Sequence, residues 1–168
     1  SLGSDIARFS GANFSNFVVP NIVDGECFYP AEQKGTADYF FMVSQWKDPK
    51  RPELAIEAFD RIRLKSPNIK LIIAGYGPQV KLLQAQYKDK GNIEWIGPKN
   101  AEEVGEYMRH AFALIHPSDY ETFSVVCAEA LACKCPVIAS AVGGIPEFVN
   151  VNNGFLVAVN TVEGFQDS

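Results

Sequence analysis

Two glutamates, Glu121 and Glu129, stand eight positions apart in ETFSVVCAEALACKCPVIAS (121–140), a stretch otherwise made almost entirely of small and apolar residues. A carboxylate in such surroundings is costly unless it is paired or hydrogen-bonded, so each must be met by another group of the protein or by a ligand. Upstream, SQWKDPKRP (44–52) places Lys47, Lys50 and Arg51 just before Pro52, which suits a first helical position. Cations beside the unpaired N–H groups of a helix start make an anion site, most naturally for phosphate. From spacing alone, other readings stay open: a solvated basic turn, Glu129 as a helix-face residue, and Glu121 as a partner for a helix N-terminal dipole. A glycosidase pair fits poorly. It needs two carboxylates facing each other across a scissile bond, whereas a loop and its own following helix present both from one side.

These residues must be positioned by the elements around them. YFFMV (39–43), IKLIIAG (69–75), NIEWIG (92–97), FALIHP (112–117), PVIAS (136–140) and GFLV (154–157) read as strands. Most are continuous apolar runs, the mark of strands buried on both faces of a parallel sheet. Helical patterns alternate with them at 52–65, 78–91, 100–111 and 124–133; in the first, Leu54, Ala58 and Ile62 recur on one face beside Ala55 and Phe59. This rhythm predicts an α/β fold, a doubly wound, mostly parallel sheet with helices on both faces. Residues 1–37 differ. VVPNIVDGECFYP reads as one short strand and a loop, in a hinge or entry segment, and the strand–helix alternation runs uninterrupted through 38–168. The alternation stops at VNTVEGFQDS after a strand, without the helix it leads one to expect, which points to truncation at the C-terminus.

In open α/β sheets ligands bind beyond the carboxyl ends of the strands. Besides 44–52, the junctions GYGP (75–78), GPKN (97–100), SDYETFS (118–124) and VGGIPE (142–147) supply small residues where a ligand could approach the backbone. GYGPQV lacks the third glycine of a dinucleotide fingerprint and follows the second strand instead of the first, so nicotinamide chemistry is not indicated.

Composition narrows the classes further. A chain of 168 residues, 47% hydrophobic, can build one well-packed domain. A net charge of −5 without a basic stripe argues against nucleic acid as a partner. The sequence shows neither a signal peptide nor an apolar run long enough to span a membrane, so a cytoplasmic protein is expected. Cys27, Cys127, Cys133 and Cys135 fit neither a disulfide framework nor a zinc site and read as buried reduced thiols. His110 and His116 have no third ligand at helical spacing, and His116 reads as a strand-end residue.

In order, VPNIVDGECFYP, SQWKDPK, GYGP, ETFSVVCAEALACKCPVIAS, VGGIPEFV and NGFLV resemble the C-terminal half of retaining glycosyltransferases of the GT-B architecture, specifically glycosyltransferase family 4 (group 1), over about residues 18 to 157. The resemblance implies a Rossmann-like half that binds a nucleotide sugar, in an enzyme of polysaccharide biosynthesis that moves the sugar to an acceptor hydroxyl with retained configuration. By the same resemblance Glu121 accepts hydrogen bonds from the donor sugar, and Glu129 holds the ribose hydroxyls. Thr122, Phe123, Ser124 and Val125 stand in the loop and helix start, whose backbone N–H groups at 123–125 face the diphosphate. Lys50 neutralises that group as it leaves, and Gly97, Pro98 and Lys99 lie against the nucleobase. No cofactor and no metal are implied, and no Asp-x-Asp is present to hold one. The acceptor, a glycan or lipid, would be held by the missing N-terminal domain. The isolated domain would transfer nothing, and the full-length protein would have room for peripheral membrane association.

The sequence also departs from that family. Gln45 stands where an arginine is usual, removing one fixed charge for which Lys47 or Arg51 would have to compensate. Thr122 and Ser124 stand where glycines are common, Ala141 replaces a frequent Asp, and Lys134 takes a glycine position that favours positive φ. Such changes keep open a non-catalytic nucleotide or sugar-nucleotide binding module. A related epimerase or phosphorylase of the same architecture is the other alternative.

Overall fold

The computed structural model describes residues 21–32, 35 and 38–167. Its first strand, β1 (Tyr39–Gln45), shows why the apolar runs are continuous. Successive side chains point to opposite faces of a sheet, and here both faces are covered: Phe40 and Met42 join one buried cluster and Phe41 the other. The remaining strands are β2 (Lys70–Tyr76), β3 (Ile93–Gly97), β4 (Leu114–His116), β5 (Val137–Ser140) and β6 (Gly154–Val157). They form one six-stranded sheet in the order β3-β2-β1-β4-β5-β6, and every neighbouring pair is parallel.

Helix α1 (Pro52–Lys65) covers the residues expected of it. Pro52 stands in its first turn with Glu53, and Arg63 and Lys65 stand in its last, which suits the helix dipole. It shares one face of the sheet with α2 (Val80–Gln86) and α5 (Val162–Gln166), around Leu54, Phe59, Leu83 and Phe165. On the other face α3 (Ala101–His110) and α4 (Val125–Ala132) bury Val104, Met108, Cys127 and Ala130. A capping box starts α3: Glu103 N donates to Asn100 Oδ1 at 2.9 Å, and Asn100 N donates back to Glu103 Oε2 at 3.0 Å.

Three boundaries differ from the sequence reading. The chain does form a helix after β6, because Thr161 accepts at its Oγ1 from Gly164 N at 3.2 Å and Phe165 is buried against α1. One short turn containing a glycine carries no helical period, so the pattern hid it. Helix α2 occupies only 80–86 of the 78–91 expected; beyond it, Lys90 Nζ reaches back to Asp60 Oδ2 at 2.9 Å. Of the strand expected in VVPNIV, residues 18–20 lie outside the described ones. From Asn21 onward that stretch is loop, turned by Asp24, whose carbonyl accepts from Phe28 N at 2.9 Å as Phe28 enters the core.

Candidate functional site

Strands β1 and β4 are neighbours, but the chain leaves β1 for α1 on one face and β4 for α4 on the other. Such a switch point leaves a crevice at the strands' carboxyl ends. The crevice is there, a cleft of about 330 Å³. Val43, Ser44 and Gln45 supply one wall from the end of β1, Lys50 the loop after it, His116 the end of β4, Glu121 the next loop, and Ser124, Val125, Val126 and Glu129 the start of α4.

The charges inside are unevenly satisfied. Lys50 Nζ and His116 Nε2 both meet the same oxygen, Glu121 Oε1, the imidazole at 2.7 Å. Burial pushes the Glu121 carboxyl up, but the hydrogen bonds from His116 and Lys50 outweigh it and hold the group at about 2. Burial lowers His116, and the nearby Lys50 charge adds to this against the pull of Glu121. The imidazole is therefore neutral at pH 7 and donates to Glu121 from Nε2–H, so the full positive charge beside that carboxylate belongs to Lys50. Ser124 Oγ lies 3.2 Å from the same Nε2. Serine and carboxylate thus share one ring nitrogen, which rules out a nucleophilic triad, where they occupy opposite nitrogens. Glu129 is different. It is half-buried, burial raises its carboxyl, and it has no hydrogen-bond or ion-pair partner among the described residues.

Close backbone packing fixes the loops that carry these groups. Gly143 has φ +57, and a Cβ there would sit 1.7 Å from the Glu121 carbonyl oxygen; Gly144 N donates to Thr122 O at 2.9 Å. The VGG turn is thus pressed onto the Glu121 loop. On the β1 side, a Cβ at Gly75 would lie 1.9 Å from Ser44 O and one at Gly77 2.3 Å from Trp46 O, while Trp46 Nε1 donates to Ala74 O at 2.9 Å. Ser118 N donates to Ser140 Oγ at 2.9 Å, and Lys50 bridges Ser118 in antiparallel fashion, tying the two cleft loops together.

The sequence model described as Glycosyl transferases group 1 matches residues 29–168. The chain belongs to this family. It is 31% identical over 135 residues to the phosphatidylinositol N-acetylglucosaminyltransferase gpi3 subunit of Schizosaccharomyces pombe, covering 77% of this chain and 30% of that protein. The chain spans about a third of the length of the curated relatives it matches. Among solved structures it resembles the C-terminal domain of a glycosyl transferase group 1 family protein, LpcC, from Francisella tularensis. That likeness has a TM-score of 0.73 at 28% identity and covers 86% of this chain and 84% of that one. Anabaena HepE, solved in complex with UDP-glucose, shares the fold with a TM-score of 0.69 at 24% identity over 79% of this chain and 38% of its own.

Of the residues singled out in this group 1 domain, Gln45, Lys50, Glu121, Ser124, Val125 and Glu129 line one cleft. Thr122 is exposed in the adjoining loop, and the Phe123 ring packs on Phe148 with centroids 4.9 Å apart. Gly97 and Pro98 lie at the end of β3, two strands from β1 and outside the lining. Neither proposed substitute for the family arginine stands in the cleft. Lys47 is outside the lining, and Arg51 is taken up by Glu53 and by Asp119, the latter at 2.8 Å. At the GYGP glycines the space a Cβ would take is filled by the chain's own backbone at Ser44 and Trp46. Ser124 and Lys134 do take up left-handed backbone, φ 68 and 54, where a glycine is unstrained. Sequence reasoning missed His116 as a member of the site. Its parity held the signal: with Phe41 opposite Leu114, His116 falls beside Val43, on the face that Gln45 also shares.

Cys127, Cys133 and Cys135 are buried, Cys27 is half-buried, and all four are free of disulfides. Among the described residues no group of three His, Cys, Asp or Glu side chains is placed to hold a metal ion, and no helix is long and apolar enough to cross a membrane.

Proposed function

We propose that this domain binds the donor of a retaining glycosyltransferase, which passes a sugar from a nucleoside diphosphate sugar to an acceptor hydroxyl. The observation that carries the reading is Glu129, a half-buried carboxylate without a protein partner among the described residues, in the same cleft as Lys50. An ionised carboxylate accepts two hydroxyls of a vicinal diol at once, which suits ribose, and the ligand relieves the burial that raises it. Lys50 and the backbone N–H groups at the start of α4 meet the diphosphate, stabilising it as it leaves. Glu121, kept ionised, faces the sugar as positive charge develops there. No divalent metal is required by this scheme. Gly97 and Pro98 would border the nucleobase. The acceptor, a glycan or lipid, would be held by another domain of a longer, cytoplasmic protein, one with room for peripheral association with a membrane, and this chain alone would transfer no sugar.

Gln45 favours a second reading, nucleotide-sugar binding without turnover, because an amide offers no fixed charge to a leaving diphosphate. Thermal unfolding of the domain with UDP, GDP, ADP and their sugars tests the binding common to both. A matching ligand at about 100 times its Kd stabilises by about 2.7 kcal/mol. If none of the three series raises the midpoint, the donor-site reading fails.

A further inference from the structure

We infer that His116 is a positioning residue, one that keeps Glu121 aimed at the donor sugar when the diphosphate draws Lys50 away; this rests on the donor-site reading above. Two elements converge on Glu121 Oε1, and their donors differ in kind. Lys50 sits in the β1–α1 loop on a flexible four-carbon stem and carries the full charge that a diphosphate seeks. His116 ends β4, is 3% exposed, and its backbone is held in register against Ala139 of β5. One donor can leave and the other cannot. Among the described residues Lys50 is also the only lysine or arginine lining the cleft, and Gln45 supplies no second fixed cation. A bound diphosphate therefore competes directly with Glu121 for Lys50. Without His116 that competition would leave a carboxylate, 13% exposed, with no donor. The neutral Nε2–H at 2.7 Å supplies one without placing another charge in the cleft. The groups facing the imidazole are Lys50, Glu121 and Ser124, the last also touching Cys127 Sγ at 3.2 Å, and a full carboxylate among them favours the Nε2–H tautomer.

The test is calorimetry on His116→Leu and His116→Gln with a nucleoside diphosphate and with its sugar, using whichever series binds the wild-type domain. His116→Leu should weaken the nucleotide sugar on the order of tenfold, the loss of about one hydrogen bond to a charged group, while the free nucleoside diphosphate changes less than about twofold. His116→Gln, which keeps an N–H donor on a side chain of similar reach, should restore most of the difference. In a Glu121→Ala background His116→Leu should add almost nothing, since both act through one contact. Equal weakening of both ligands by His116→Leu, or additive losses in the double variant, would show that His116 only supports the fold and would overturn the inference. Should His116→Leu fail to fold, the ring nitrogen shifts of the wild type decide the matter, because the chain has only two histidines. Nε2 protonated in both the free and the nucleotide-sugar-bound state supports the inference, and a bound state protonated only on Nδ1 overturns it. Failure of every nucleotide and nucleotide sugar to bind the wild type is a separate outcome. It would remove the donor-site reading, and this inference with it.

Discussion

Glu121→Gln keeps the size of the side chain and removes its charge, so it isolates what the Lys50 and His116 contacts contribute to the ligand-free fold. The carboxyl is held at about 2 against an ordinary 4.5. At about 1.36 kcal/mol per pKa unit, that depression corresponds to about 3 kcal/mol, an upper figure for a side chain that is 13% exposed. The sign follows from linkage. A carboxylate whose folded value is depressed contributes its full stabilisation above the unfolded value and loses it as pH falls through the folded one. Between pH 4.5 and 2 the unfolded chain binds a proton at this site that the folded chain refuses, so stability should fall by up to about 1.4 kcal/mol per pH unit. Urea unfolding of wild type and Glu121→Gln at intervals from pH 6 to 2 measures this. Asp60, Glu106 and Asp119 are also depressed, mainly by hydrogen bonds from Lys90, Arg109 and Arg51, but they titrate in both proteins and cancel in the difference. The gap between the two proteins should shrink by about 3 kcal/mol across that range. Curves that stay parallel would show that Glu121 gains nothing from Lys50 and His116, and the electrostatic account of the cleft would be wrong.

Glu129→Ala should weaken a nucleoside diphosphate and its sugar by a similar factor of about ten or more, whereas Glu121→Ala should weaken only the nucleotide sugar; calorimetry with both ligands separates the patterns. Gln45→Arg should tighten nucleotide binding, increasingly so at low salt, because the residue lines the cleft beside Lys50, and an unchanged Kd would mean the diphosphate lies elsewhere. Gly143→Ala should destabilise the domain by about 1–3 kcal/mol in denaturant unfolding and displace the Glu121 loop, since its Cβ would collide with the Glu121 carbonyl at 1.7 Å. Lys134→Gly should stabilise by about 0.5–1 kcal/mol, the relief of left-handed backbone at φ 54 less the added freedom of the unfolded chain, read as a higher melting temperature.

Residues 52–65 were legible as a helix because a proline, an acidic first turn and a basic last turn agree with the apolar period, and local signals of that kind need no tertiary knowledge. The strands were legible because burial on both faces leaves unbroken apolar runs. The cleft was legible in its parts, through junction residues such as Lys50 and Glu121, but their meeting was not. They lie 71 residues apart and touch only because β1 and β4 become neighbours in the sheet. The same distance hid the fate of Arg51, drawn to Asp119 across that junction. His116 was hidden differently: Glu121 lies only five residues on, but no helical or strand period relates the two, and the loop between them sets their contact. Helix α5 escaped because its stability comes from Phe165 packing on α1 and not from a repeating pattern of its own.

The fit of Gly75 and Gly77 against Ser44 and Trp46 bears on how members of this family drift. Any larger side chain at either glycine would strike the backbone at the end of β1 or just after it and push the β1 loop out of line, whether or not the cleft is in use. Selection for a foldable protein is therefore enough to preserve that turn. Gln45 and Glu129 answer to no such demand: their side chains line the cleft, and neither side chain makes a hydrogen bond or ion pair with the described residues. In a descendant whose cleft had lost its ligand, the glycines would persist as a relic of folding while these two positions wandered. The turn is a marker of ancestry, and the cleft positions are the markers of use.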